Sequence, residues 1–262
     1  MKLYECQAKT IFKQFGIPIP KGRIASNARS AKRISEELGG KVVIKAQILT
    51  GGRGKAGGIQ PVQTPEEAYV VTSKILSMKI HGLPVKKILV EEIVDFSREM
   101  YLGLFVDRTE KQHVILSSKT GGINIENRIM DDPKSLHYFP IDLLLGLQEY
   151  KIREIAISLD IPKELWMPFS TICSGLYNAY KKNDAILAEI NPLVLTTDNH
   201  LKALDGKMTI DDNALFRQPQ FVDCCDMGTQ SEFEQQANKT GLSFFSLHGN
   251  IGCIAVNKRL HQ

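Results

Sequence analysis

The run Lys45-Ala46-Gln47-Ile48-Leu49-Thr50-Gly51-Gly52-Arg53-Gly54-Lys55-Ala56-Gly57-Gly58 places five glycines in its last eight residues. A backbone without Cβ atoms can fold closely around a ligand and turn its N–H groups inward. Arg53 and Lys55 stand inside the run, and Lys45 leaves directly from the β-branched stretch Val42-Val43-Ile44. Inward amides, a guanidinium and a firmly held ammonium together suit a phosphate. The plain alternative is a flexible surface loop with incidental charge. Two phosphate signatures are excluded. Gly52-Arg53-Gly54-Lys55 lacks the spacing and the hydroxyl of a P-loop. No acid ends a suitable second strand, as a dinucleotide fingerprint requires.

Two further groups of residues could do chemistry. Ile88-Leu89-Val90-Glu91 is a strand ending in a carboxylate, and Glu99 follows eight residues later. Such acceptors could read an adenine amino group or ribose hydroxyls, or could be acids exposed at a strand end. In Ala188-Glu189-Ile190-Asn191-Pro192-Leu193, strand alternation sends Glu189 and Asn191 to one face. Asp205 lies fourteen residues beyond Asn191, past the turn at Asp198-Asn199, where a partner strand can bring it back. Oxygen donors without His or Cys suit Mg²⁺ held jointly with phosphates. The alternative is a polar sheet face.

The elements that must position these residues are legible from periodicity. Residues 1–16 repeat apolar side chains at helical spacing and stop at Gly16. Asn27 to Leu38 reads as a second helix ended by Gly39-Gly40. Thr64-Pro65-Glu66-Glu67 opens a third with a hydroxyl cap, a proline in the first turn and acids at the positive end. Helices are expected over about 141–158 and 163–182. Strands are expected at 42–44, 87–91, 100–106, 114–117, 185–190, 193–195 and 201–204. The order is mixed, giving an α+β fold rather than strict βαβ alternation. Residues from about 218 to 239 are polar and weakly patterned, as a linker would be.

Bulk properties exclude several classes. The 262 residues are 43% hydrophobic and 24% charged, ordinary for a globular protein. A formal charge of +4 is too mild and too scattered for a nucleic-acid binder. No apolar run approaches the roughly 20 residues that span a bilayer, and residues 1–9 do not resemble a signal or transit peptide. A cytoplasmic protein without membrane partners is the expectation. The five cysteines have no Cys-x-x-Cys spacing, so a disulfide framework or zinc site is not expected.

Several blocks occur in the order and near the spacing of one known family. They are Glu5-x-Gln7-Ala8-Lys9, Lys45 to Gly58, Ile88 to Glu91, Tyr101-Leu102-Gly103, Thr120-Gly121-Gly122, Glu189 to Leu193, Leu204-Asp205-Gly206-Lys207 and Asp212 to Pro219. With them the chain resembles the succinyl-CoA synthetase (succinate–CoA ligase) β subunit from residue 1 to about 254. Malate–CoA ligase β subunits and the related part of ATP-citrate lyase share much of the pattern.

The resemblance implies an ATP-grasp fold, with two α+β lobes clasping ATP, or GTP as an alternative. By that resemblance Lys45, Gly52, Arg53 and Gly54 contact the phosphates. Glu91 and Val94 line the base and ribose pocket, and Glu99 contributes to it. Asn191 and Asp205 hold Mg²⁺, with Glu189 close by as a catalytic candidate. The family's γ-phosphoryl moves to a histidine on an α subunit, then to succinate, and CoA displaces it. None of the six histidines here lies in a matching motif.

The domains implied are an ATP-grasp unit over 1–235 and a following segment. The first lobe covers about 21–95, and the second about 1–20 plus 96–235. Residues 236–262 are read as a linker and the truncated start of the family's second domain. In that reading residues 247–254 form its opening strand, and Asn257 is a remnant of a substrate-site asparagine. The chain is also several residues shorter than the family before His81-Gly82-Leu83-Pro84. The leading expectation is the β subunit of an ADP-forming succinate–CoA ligase of the tricarboxylic acid cycle. A non-catalytic nucleotide-binding remnant and a malate–CoA ligase β subunit are the alternatives.

Overall fold

The computed structural model describes residues 1–122 and 135–224, with 233, 236, 237, 240, 242, 244, 249 and 251–254. The chain divides into two compact units, Met1–Cys225 and Asp226–Gln262. The described strands all belong to the first.

That unit is built on two antiparallel sheets. The smaller has the order β1-β6-β2-β3, from β1 (Gly22–Ala25), β2 (Val42–Ala46), β3 (Ile59–Val62) and β6 (Ile88–Glu92). Helices α2 (Ala28–Glu37) and α3 (Pro65–Leu76) pack over it, burying Ala31, Ile34, Ala68 and Ile75 against Val42, Ile44, Ile88 and Val90. Their ends follow the sequence signals. The Asn27 side chain accepts the Ser30 N–H, and Thr64 accepts that of Glu67. Gly39 and Gly40 close α2 with positive φ.

The larger sheet has the order β11-β10-β7-β8-β9, and β12 also pairs with β10. Its strands are β7 (Phe96–Asp107), β8 (Gln112–Ser118), β9 (Leu136–Ile141), β10 (Ala185–Thr196), β11 (Leu201–Ala203) and β12 (Gly206–Ile210). Three helices cover it: α1 (Glu5–Gln14), α4 (Glu149–Ser158) and α5 (Trp166–Lys182). Phe12, Ile155, Phe169 and Ile172 meet Leu102, Leu104 and Ile190 in its core. A two-stranded hairpin, β4 (Lys79–Ile80) and β5 (Leu83–Pro84), stands apart from both sheets.

Several expectations need correction. The helix expected from 141 begins at Glu149. Asp142 instead accepts the N–H groups of Leu144 and Leu145, and Gly146 takes φ +70°, so 142–148 is a turn. The two strands expected at 185–190 and 193–195 are one strand, carried across Asn191-Pro192 by a register shift. β1, β3, β9 and β12 were not expected. Residues 251–254 are not in a strand, although one was expected over 247–254. Residues 247, 248, 250 and 257, and most of the expected linker, lie outside the described residues.

Candidate functional site

Helix α1 carries charge into an apolar interface. Positions 5, 8, 9 and 12 share one helix face. Ala8 and Phe12 are fully buried there, and Glu5 and Lys9 are buried with them at 4% and 2% exposure. Gly206 makes room for this packing. A Cβ added to it would stand 2.7 Å from the Phe12 ring and 3.3 Å from Lys9 Cγ.

From the smaller sheet, Lys45 on β2 and Glu91 on β6 reach the same place. Lys45 Nζ donates to Glu5 Oε1 at 3.0 Å and to the Leu204 carbonyl at 2.7 Å, and it forms an ion pair with Glu91 Oε2 at 2.8 Å. Lys9 pairs with Glu91 Oε1 and also donates to the Leu204 carbonyl at 2.9 Å. Arg53 extends the network from the glycine-rich loop. One amino group donates to Glu5 Oε2 at 2.6 Å and to the Ala46 carbonyl at 2.9 Å; the other donates to Asp205 Oδ2 at 2.7 Å. Gln47 donates to Glu5 Oε2 at 3.2 Å.

Three carboxylates and three cations thus interlock, joining α1 and the Leu204-Asp205 segment of the larger sheet to the smaller sheet. Burial by itself would neutralise such groups, so the pairing decides their charge. Burial pushes Glu5 up, but Lys45, Arg53 and Lys9 outweigh it and hold its carboxyl far below the usual range. Burial pulls Lys45 down, but Glu5, Glu91 and Asp205 more than restore it and leave it raised. Arg53 is likewise raised, by Glu5 and Asp205 against its burial. Lys9 is lowered by burial and by the neighbouring Lys45 charge. Asp205 is raised by burial and by Glu5, against the pull of Arg53.

A second group of residues adjoins the first through the backbone, where the Asn191 N–H donates to the Asp205 carbonyl at 3.3 Å. Asn191 lies in the interruption between the pairs Ile190↔Leu102 and Leu193↔Met100, and such a bulge re-aims a side chain. Its Oδ1 accepts the Gly122 N–H at 2.7 Å, and its Nδ2 reaches Glu189 Oε1 at 3.4 Å. Gly122 has φ +88°, and a Cβ there would stand 2.7 Å from Glu99 Oε2. The Gly121-Gly122 turn therefore rests between Glu99 and Asn191.

The residues singled out in the sequence are brought together, with differences in what they face. Lys45, Arg53 and Asp205 are in one cluster, and Asn191, Glu189 and Glu99 are beside it. Glu91 is not an exposed acid at a strand end; at 2% exposure its carboxylate pairs with Lys9 and Lys45. Gly52 and Gly54 flank Arg53 in the loop, Gly52 with φ +74°. Val94 is half-buried in the link from β6 to β7.

The donor chemistry fits magnesium. Asp205 and Asn191 offer hard oxygens from adjoining segments, and Arg53 already stands as a cation against Asp205 Oδ2. Among the described residues no group of three or more His, Cys, Asp or Glu could hold a metal. An ion here would complete its shell with phosphate oxygens and water, as Mg²⁺ commonly does.

Comparisons with known proteins bear on the family and the fold. A family model described as the ATP-grasp domain matches residues 2–195. The ADP-forming succinate–CoA ligase subunit beta of Herpetosiphon aurantiacus is 44% identical over 97% of this chain and 68% of its own length. The chain belongs to the succinate–CoA ligase β-subunit family. The GDP-forming subunit beta of Thermus thermophilus is also 44% identical, over 97% of this chain and 67% of its own length. The chain therefore spans about two thirds of the length of these relatives. Two solved structures share the ATP-grasp fold at low identity. One is a dinucleotide-forming acetyl-coenzyme A synthetase from Ca. Korarchaeum cryptofilum (TM-score 0.64, 17% identity, 80% of this chain, 93% of that one). The other is ATP citrate lyase from Methanothrix soehngenii (TM-score 0.66, 17% identity, 91% of this chain, 59% of that one).

Sequence reasoning gave no site role to Glu5, Lys9, Gln47 or the Leu204 carbonyl. A signal for the first two was present. A charged pair at i, i+4 sharing a helix face with Ala8 and Phe12 cannot all face water. Gln47 and a backbone carbonyl carry no such pattern.

Proposed function

We propose that this chain is the nucleotide-gripping β subunit of an ADP-forming succinate–CoA ligase. It would act in the cytoplasm and the tricarboxylic acid cycle. The observation that carries the reading is the meeting of Lys45 and Arg53 with Asp205, beside Asn191, where the two sheets join. A triphosphate entering there meets cations from one sheet and hard oxygen donors from the other. The ATP-grasp unit is assigned to 1–235, one lobe covering about 21–95 and the other 1–20 plus 96–235. Asn191 and Asp205 would hold Mg²⁺, which neutralises phosphate charge when bound. Lys45, Arg53 and the Gly52–Gly54 turn would hold the phosphates in line, the positioning on which phosphoryl transfer depends. Glu189, Glu99 and Val94 complete the nucleotide surroundings. The acceptor is assigned to a histidine of an α subunit, with succinate and CoA handled by the complex. The names of the relatives as β subunits support this.

The first test is a thermal melt with millimolar Mg-ATP or Mg-GTP. Mg-ATP should raise Tm, and Lys45→Ala or Asp205→Asn should abolish the rise. Mixing the chain with an α subunit and γ-labelled ATP should label a histidine on that subunit. An unchanged Tm for the wild-type chain with either nucleotide overturns the reading.

A further inference from the structure

The hairpin β4–β5 has no place in either sheet, yet it is packed against the glycine-rich loop. Its pairs are Lys79↔Pro84 and Ile80↔Leu83, so His81 and Gly82 form a two-residue turn. Both have positive φ, 49° and 81°, as a type I′ turn requires. Three glycines of the loop lie against the segment from Met78 to His81. A Cβ added to Gly58 would stand 2.6 Å from Ile80 Cδ1, one on Gly57 would be 3.9 Å from Met78 Cε, and one on Gly52 would be 3.4 Å from His81 Nε2. Ile80 is buried in this contact and His81 is exposed at the tip.

The loop is not uniformly free to receive a ligand. The amides of Ala56, Gly57 and Gly58 donate to the carbonyls of Gly52, Gly54 and Arg53 within the loop. Lys55 is exposed, and so is the edge Gly51-Gly52. That edge is where the imidazole stands. Deeper in, Lys45 is buried and already paired with Glu5, Glu91 and the Leu204 carbonyl, so the exposed groups a phosphate meets first lie near this rim. His81 takes the positive φ of position one, as Lys111, Asp160, Asp184 and Asn199 do in other turns, so the turn serves to place the imidazole.

We propose that His81 is a polyphosphate-contacting residue, its ring N–H donating to a phosphate oxygen of a nucleotide held by the Gly51–Gly54 edge. The proposal rests on the nucleotide reading above, and the test separates the two. His81→Asn and His81→Gly both suit the turn, so their unliganded Tm should equal or exceed that of the wild type. Their affinity for Mg-ATP and for magnesium tripolyphosphate, by calorimetry, should nonetheless fall about tenfold, as loss of one charge-assisted hydrogen bond implies. If the wild type binds Mg-ATP and both variants bind it and tripolyphosphate equally well, the inference about His81 fails alone. If affinity falls only in step with a lowered Tm, the imidazole is a packing residue and the inference also fails. If the wild type binds neither probe, the nucleotide reading itself falls.

Discussion

Glu5 shows how a buried charge is made permanent. Its carboxylate accepts from Lys45 and Arg53 and lies near Lys9, and those cations overcome the burial that would protonate it. A folded pKa below the unfolded value means that ionised Glu5 stabilises the fold above about pH 4.3, its ordinary value. That contribution is lost as pH falls through the folded value. Glu5→Gln cannot take up the proton. At pH 7 it should lower stability by about 3 kcal/mol, because it leaves buried cations short of a partner. The gap between wild type and variant in urea melts should narrow as pH drops below about 4.3. A gap of constant size across that range would show that Glu5 is not ionised in the folded chain. The sequence displayed Glu5 and Lys9 only as part of a family pattern. What it hid was that, Lys9 aside, the partners of Glu5 come from 40 to 48 residues away, which local spacing does not encode.

At the scale of elements, close approach between α1 and β12 sets the geometry of the cluster. Gly206 is the contact point, with Phe12 and Lys9 lying where its side chain would be. Gly206→Ala should push α1 outward and cost about 1–3 kcal/mol, as overpacking a filled core does. Lys9 would move with the helix, so the Mg-ATP thermal shift should shrink as well. A Gly206→Ala chain with the wild-type Tm would show that α1 rides free of β12. Element type was largely legible: capped helices α2 and α3 and the β-branched strands β2 and β6 announce themselves. The short strands β1 (Gly-Arg-Ile-Ala), β4 and β5 do not, since two to four residues give no period. The segment at 142–148 misled because its leucines continue a helical spacing while Asp142 and Gly146 impose a turn. Asn191 was read onto the right face of its strand, but the bulge that aims it at Gly122 is a tertiary feature.

For the whole molecule, the cluster is a contact between two sheets that each have their own core. Ion pairs cross between the two sides, Lys45 and Arg53 from one meeting Glu5 and Asp205 from the other, while Lys45–Glu91 lies within the smaller sheet. Lys45 is buried and already paired with Glu5 and Glu91, so a phosphate competes with these carboxylates for it. Glu5 contacts both Lys45 and Arg53, so it acts as an internal anion in competition with the triphosphate. Glu5→Gln should then behave oppositely in the empty and loaded states. Without ligand its Tm falls. With Mg-ATP its Tm rises by more than the wild type's, because fewer charge pairs are exchanged on binding. A tenfold lower Kd would add about 1.4 kcal/mol of ligand-linked stability at saturating nucleotide. A smaller rise than the wild type's would mean that Glu5 orients the two cations for phosphate instead of competing for them, and that nucleotide enters without breaking the contact between the sheets.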